Sequence, residues 1–136
     1  MDRLPEWPPG TAAVLCVAGP HAIPVSTAIR AGDRRVLLAL GGKRETLRRL
    51  RDDSAAALCV MAEGLAFTAK GRGRVMQDGV EAAPALVVVE LAVAELLDHL
   101  ADGRTEMQAP PAWHWLDDKA AKAEPLIRAE LEALAG

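Results

Sequence analysis

Short apolar runs separated by turn signals dominate the sequence, and this pattern predicts a mainly β fold. Glycine, proline and aspartate mark most of the turns between the runs. The predicted strands cover residues 12–18, 22–30, 35–40, 55–62, 65–77 and 85–93. Three helices are predicted between and after these strands, at 45–52, 94–101 and 118–134. Pro125 lies inside the last one, where it either kinks the helix or begins a new one.

The predicted strands differ in how many of their faces are apolar. Residues 22–30 and 65–77 alternate along their length, so each segment has one wet or ligand-facing side. Residues 12–18, 55–62 and 85–93 are apolar on both faces, which is unusual because one face of an antiparallel sheet normally meets water. We therefore expect a second copy of the chain to cover the remaining apolar face, which predicts a homodimer.

Length and composition narrow the class of protein. A chain of 136 residues is expected to form a single domain over 1–136. With three Trp, one Phe and no Tyr, its core must be aliphatic. The net charge of −3 argues against a nucleic-acid partner. The N-terminus lacks the apolar stretch of a secretory signal, and no run is long enough to span a membrane, so we expect a cytoplasmic protein with no membrane association.

The nucleophilic and metal-binding side chains form no recognisable catalytic group. Cys16 and Cys59 lie inside apolar runs at a spacing that fits no metal motif, which predicts buried, reduced thiols. The three histidines are scattered, so no metal site is predicted. Ser26 and His21 share one segment but have no third partner for a triad. No residue is therefore assigned a catalytic role.

The corner at residues 41–46 is the strongest candidate for ligand chemistry. Gly41, Gly42, Lys43 and Arg44 end an apolar run and precede a predicted helix, whose first N–H groups have no partner inside the helix. Glycines and cations at a helix start are the composition of a phosphate site. The same residues also suit an ordinary surface turn. The spacing is neither that of a Walker motif nor that of a Rossmann fingerprint.

Two further segments carry a functional and a structural interpretation. Trp113 and Trp115 flank His114 in a chain poor in aromatics, and they form either a clasp for the last helix or an aromatic wall for a planar ring. Lys70, Arg72 and Arg74 alternate along the strand predicted at 65–77. This cationic strip either contacts an anionic ligand or is a solvated strand face.

The order of these elements resembles the pyridoxamine 5'-phosphate oxidase-like, FMN-binding split β-barrel family. The segments that carry the resemblance are 19–26 (GPHAIPVS), 36–42, 47–53 (LRRLRDD), 67–75 and 113–116. The resemblance implies a six-stranded antiparallel Greek-key split β-barrel with short helices. It also implies a homodimer that holds its flavin at the interface. Thr46 stands where the family often carries a lysine, and Ser54 where it carries a proline.

The resemblance further implies which residues surround the cofactor. Two strand residues would line the flavin ring, the corner at 41–46 would hold the phosphate, and a tryptophan would reach across from the partner. The residues so implied are Ser26, Thr27, Gly41, Gly42, Lys43, Arg44, Thr46, Trp113 and Trp115.

Three functions are compatible with this reasoning. The first is an FMN-dependent oxidoreductase of an unspecified small-molecule substrate, in which the cofactor supplies the hydride chemistry and no side chain need act as acid or base. The second is an F420-dependent reductase on the same fold, for which Lys70, Arg72 and Arg74 would matter. The third is a dimeric cofactor-binding or sensor module without catalysis. Oxidation of pyridoxamine phosphate itself is not expected, because Arg128 is the only arginine after Arg104.

Overall fold

Seven strands form one antiparallel sheet, and the computed structural model describes all 136 residues. Along the sheet the order is β2-β1-β5-β6-β7-β4-β3. The strands are β1 (Ala13–Val17), β2 (His21–Val25), β3 (Ile29–Arg30), β4 (Arg35–Gly41), β5 (Ala55–Ala62), β6 (Leu65–Gln77) and β7 (Leu86–Asp98). Two helices accompany them, α1 (Glu45–Asp52) and α2 (Asp118–Ala135). The mainly β antiparallel architecture predicted from the sequence is confirmed.

The two edge strands of the sheet are neighbours in sequence, and this explains why seven strands occur instead of six. The segment predicted as one strand at 22–30 pairs with β1 as β2 and then with β4 as β3. Residues 26–28 connect these two pairings and belong to neither strand. Because one short connection joins the two edges, the sheet must curl until they meet. The prediction of a single strand was wrong at these three residues.

The helix predicted at 94–101 is also wrong, because β7 continues as a strand to Asp98. Its partner β6 has thirteen residues and keeps pairing, with Ala69 opposite Leu96 and Thr68 opposite Leu97. The register shifts at Lys70 and Gly71, where Gly71 leaves room for the carbonyl of Ala92. Pairing with a long neighbour overrides the local helical pattern. The other two predicted helices are confirmed, and Pro125 lies within α2.

The inner face of the curled sheet carries an aliphatic core, as the composition predicted. Phe67, Leu15 and Leu58 are fully buried there, and Leu47 and Leu50 of α1 close one end. A smaller cluster lies on the opposite face, where Ile127 and Leu131 of α2 pack on β4 and β7. The first part of the second face of β7, at Leu86 and Val88, is therefore covered by α2 within the same chain.

The second face of β1 and β5 is not covered in this way. Val14 lies opposite Cys59 and Cys16 lies opposite Ala57, which places all four side chains on the outer face. We call these four residues together with Met61 the outer patch. Every member is only half-buried. Both cysteines are free thiols, but the prediction that they are buried was wrong for the single chain, since they point outward and not into the core.

Neither helix combines the length and the apolar character that crossing a membrane requires.

Candidate functional site

A cavity of about 550 Å³ opens where the two edges of the sheet meet. Its size is within the range of small-molecule sites. Its walls come from residues 24–27, from the end of β4, from residues 82–85 with the first residue of β7, and from the first half of α2. More than half of the lining residues are apolar. Five of the nine residues predicted from the resemblance line this cavity, namely Ser26, Thr27, Gly41, Arg44 and Trp115.

The break between β2 and β3 places Ser26 and Thr27 at the cavity. The hydroxyl of Thr27 donates to the carbonyl oxygen of Ala39 (3.1 Å) and accepts from the backbone N–H of Ala39 (3.0 Å). The side chain of Thr27 thus pairs with β4 as the backbone of a strand residue would. Because both of these bonds use its hydroxyl, the hydroxyl is not available to a ligand. The hydroxyl of Ser26 makes no hydrogen bond within the chain and remains available to a ligand.

The glycine corner is shaped by close contacts. The N–H of Gly42 donates to the carbonyl oxygen of Ala85 (2.8 Å), so it is not free to bind an anion. The side chain of Arg44 lies against Gly41, where an added Cβ would be 3.3 Å from the Arg44 Cγ. The Arg44 guanidinium makes no hydrogen bond or ion pair, and Arg44 is the one arginine that lines the cavity. At this corner an anion in the cavity would therefore meet the side chain of Arg44, while the N–H of Gly42 is already bonded.

Three residues predicted to hold a phosphate are placed differently. Lys43 is exposed and does not line the cavity, and Gly42 does not line it either. Thr46 is only 1% exposed, and its hydroxyl bonds to Nε2 of His21 (2.9 Å). Neither residue of that contact lines the cavity.

The acidic residue at the start of α1 is neutralised locally. A hydrogen bond from Arg48, and then the charge of Arg49, lower the pKa of the exposed Glu45 carboxyl. Its negative charge is therefore taken up by α1 itself, and Glu45 does not pair with Arg44.

The two tryptophans form the clasp that was one of the two interpretations made from the sequence, and one of them lies at the cavity. The indole N–H of Trp113 donates to the carbonyl oxygen of Gly10 (2.9 Å), and that of Trp115 donates to Glu124 of α2. The rings meet edge to face with centroids 5.3 Å apart. They therefore fasten α2 to the N-terminal segment, while Trp115 alone also lines the cavity. Trp115 lies against the cavity of its own chain.

Sequence reasoning missed the wall that α2 provides. Asp117 caps this helix by accepting from the N–H groups of Lys119 and Ala120. Asp117, Lys119 and Glu124 all line the cavity. An aspartate before a helical pattern marks a helix start, but nothing in the sequence tells against which strands the helix packs.

Of the four charged side chains that line the cavity, the two carboxylates have hydrogen-bond partners and the two cations have none. Asp117 is bonded to backbone N–H groups, and Glu124 accepts from Trp115 and from Arg128. Arg44 and Lys119 have no partner. The two charged side chains at the cavity that make no hydrogen bond or ion pair are thus both positive, and they are free to bind an anionic group on an otherwise apolar ligand. No three histidine, cysteine, aspartate or glutamate side chains are placed so that they could hold a metal ion together.

No protein-family model matches the sequence. No curated protein matches it either.

Solved structures with the same fold do match the chain. HupZ of Group A Streptococcus aligns with 75% of this chain and 90% of its own, at 12% identity and a TM-score of 0.56. A candidate pyridoxamine 5'-phosphate oxidase of Lactobacillus delbrueckii aligns with 71% and 95%, at 17% identity and a TM-score of 0.59. An F420 reductase aligns with 65% and 90%, at 11% identity and a TM-score of 0.53. The chain has the split-barrel fold, as the sequence predicted.

Proposed function

We propose that the cavity binds a flavin and that the protein is an FMN-dependent oxidoreductase acting on a small molecule. The observation that carries this proposal is one cavity that joins apolar walls, an indole ring and the unpaired guanidinium of Arg44. FMN needs this combination, because its ring system is planar and largely apolar while its phosphate is an anion. The fold shared with an F420 reductase and with a candidate pyridoxamine 5'-phosphate oxidase supports the proposal.

In this proposal each side chain has a separate task. Arg44 binds the phosphate, since charge-assisted hydrogen bonds from a guanidinium to phosphate are strong and frequently bidentate. Trp115 contacts the ring, and Ala39 and Leu40 exclude water from it. Ser26 offers a hydroxyl to the polar edge of the ligand. The bound flavin would supply hydride transfer, which requires no acid or base from the chain.

Among the side chains predicted to hold the phosphate, Arg44 is assigned to it because the others are occupied or lie outside the cavity. The hydroxyl of Thr46 is bonded to His21, and Lys43 lies outside the cavity.

FMN is favoured over F420 by the position of the cationic strip. Lys70, Arg72 and Arg74 are exposed, and none of them lines the cavity. Arg72 bonds to Ser54, and Arg74 bonds to Glu90. The oligoglutamate tail of F420 would need cations in a groove continuous with the ring site.

We also propose that the protein is a homodimer joined through the outer patch. The patch is apolar, half-buried and continuous across β1 and β5. At its border Lys70 lies opposite Glu95, and both side chains are exposed without an ion pair. A two-fold interface brings the same surface of each copy together, so these opposite charges can pair between copies.

Titration with FMN and riboflavin tests the flavin proposal. We expect the Arg44→Ala variant to bind FMN at least about tenfold more weakly, about 1.4 kcal/mol, with riboflavin unchanged. Lys43→Ala is the matched control and should leave both affinities unchanged. A parallel loss of both ligands would place the phosphate elsewhere. Tighter binding of F420 than of FMN would favour the reductase, and absence of binding by all three would favour a module without this cofactor.

A further inference from the structure

The helix α2 runs antiparallel to β4, and this direction brings its first turn to the glycine corner. At the far end, Arg35 donates to the backbone oxygen of Ala135. Eight residues earlier, Ile127 lines the cavity beside Ala39. Eight helical residues and four strand residues both span about 12–13 Å, so the two elements stay side by side. The start of α2 therefore lies beside the end of β4, where Gly41 and Arg44 line the same cavity.

Lys119 is the one charged residue of the first turn of α2 that lines the cavity. The two carboxylates that line the cavity already have hydrogen-bond donors. Asp117 accepts from backbone N–H groups, and Glu124 accepts from Trp115 and Arg128. The Lys119 ammonium makes no ion pair or hydrogen bond. Lys119 and Arg44 are thus two cationic side chains at one cavity with no partner of their own, and both are free to donate to an anion bound there.

We propose that Lys119 is a second anion-binding residue of this site and that it holds the ligand phosphate together with Arg44. This inference rests on the proposed function in taking flavin phosphate as the ligand. It adds that the phosphate is bound by two different elements, α1 and α2. It also adds that α2 selects phosphorylated ligands over their dephosphorylated forms.

Ligand binding then also ties α2 to the barrel. Only two residues of α2 are buried, Ile127 and Leu131. Beyond these, Glu130 bonds to Gln77 and to the N–H of Glu81, and Arg35 reaches the last turn. The first two turns lack buried side chains. A phosphate shared by Arg44 and Lys119 would therefore slow hydrogen exchange most in residues 121–124, the first part of α2 whose N–H groups bond within the helix.

Binding measurements on Lys119→Ala, with Lys122→Ala as the matched control, test this inference. Both lysines are exposed residues of α2, but Lys122 does not line the cavity. We expect Lys119→Ala to weaken FMN about tenfold and to leave riboflavin unchanged, while Lys122→Ala changes neither. Equal FMN affinity in the two variants would overturn the role of Lys119 and leave the flavin proposal standing.

A second probe separates the two proposals if the wild-type protein binds no flavin. That result would contradict the proposed function. Inorganic pyrophosphate then tests the anion site directly, by its effect on thermal stability. We expect it to raise the Tm of the wild type and of Lys122→Ala, and to leave that of Lys119→Ala unchanged. The same shift in all three proteins, or in none, would overturn the inference.

Discussion

Thr27 bonds through its hydroxyl to both backbone groups of Ala39, once as donor and once as acceptor. The side chain thereby replaces the backbone partner that β4 lacks beyond β3. We expect Thr27→Val to destabilise the fold by about 1–3 kcal/mol, because the near-isosteric valine leaves the N–H and the carbonyl of Ala39 unpaired. Thr27→Ser keeps the hydroxyl and should cost less. Urea unfolding of both variants is the measurement, and equal stability of wild type and Thr27→Val would contradict it.

The aromatic wall should act on the ring of the ligand and not on its phosphate. We therefore expect Trp115→Ala to weaken FMN and riboflavin in parallel, by roughly tenfold, since stacking on an aromatic ring contributes about 1–3 kcal/mol. Trp113→Phe is the control, because Trp113 does not line the cavity. Titration of both flavins measures the effect. Loss of FMN alone in Trp115→Ala would mean that the indole acts on the phosphate end.

The outer patch makes a prediction about assembly. We expect the wild-type protein to elute at twice the chain mass of 14.4 kDa, and Val14→Glu to elute as a monomer, because a charge at the centre of an apolar interface is costly. Leu126→Glu is the control, since Leu126 is 61% exposed on α2 and lies outside the patch. Size-exclusion chromatography with light scattering measures the mass of each protein in solution. A wild-type monomer at micromolar concentration would refute the dimer.

Glu90 should make stability depend on acid pH. Burial by itself raises the pKa of this carboxyl, but bonds from Arg35 and Arg74 outweigh it and lower the pKa below its ordinary value of 4.5. A lowered pKa means that the ionised form stabilises the fold above about pH 4.5, and that this contribution is lost as the pH falls through the lower folded-state value.

Glu90→Gln tests this dependence. The variant should be less stable than wild type at pH 7 by roughly 1.5–3 kcal/mol, because it loses charge-assisted bonds. The difference should shrink as the pH falls below 4. Urea unfolding at pH 7 and pH 3 measures it, and a constant difference between the two proteins would show that the charge of Glu90 is not responsible.

Elements whose limits are set by local signals could be predicted from the sequence. The strands β5 and β6 and the helix α1 begin and end at the predicted residues, since a Glu-Gly turn and the apolar spacing of Leu47 and Leu50 mark them. The end of β7 could not be predicted, because its pairing with a long neighbour decides it. The break at residues 26–28 follows from closing the sheet, which is a property of the whole fold.

For the candidate site, too, the residues near local sequence signals could be predicted and those placed by tertiary packing could not. Ser26 and Gly41 lie on segments whose order along the chain resembles the family, Arg44 follows Gly41 at the start of α1, and all three residues meet at one cavity. Thr46 could not be placed from its spacing, because its contact with His21 depends on how α1 packs against β2. Lys119 could not be found at all, since the position of α2 depends on tertiary contacts such as the packing of Ile127 and Leu131.

The connection between the two edge strands has a consequence for how the molecule folds. The strands β5, β6 and β7 are joined in sequence, so they can pair early through contacts that are short in sequence. Residues 26–28 reach their places only when β1 has joined β5 at one edge and β4 has joined β7 at the other. The cavity lies at this last junction. Its walls should therefore form late in folding, and transient opening of the native protein should begin there before it reaches the strands of the core.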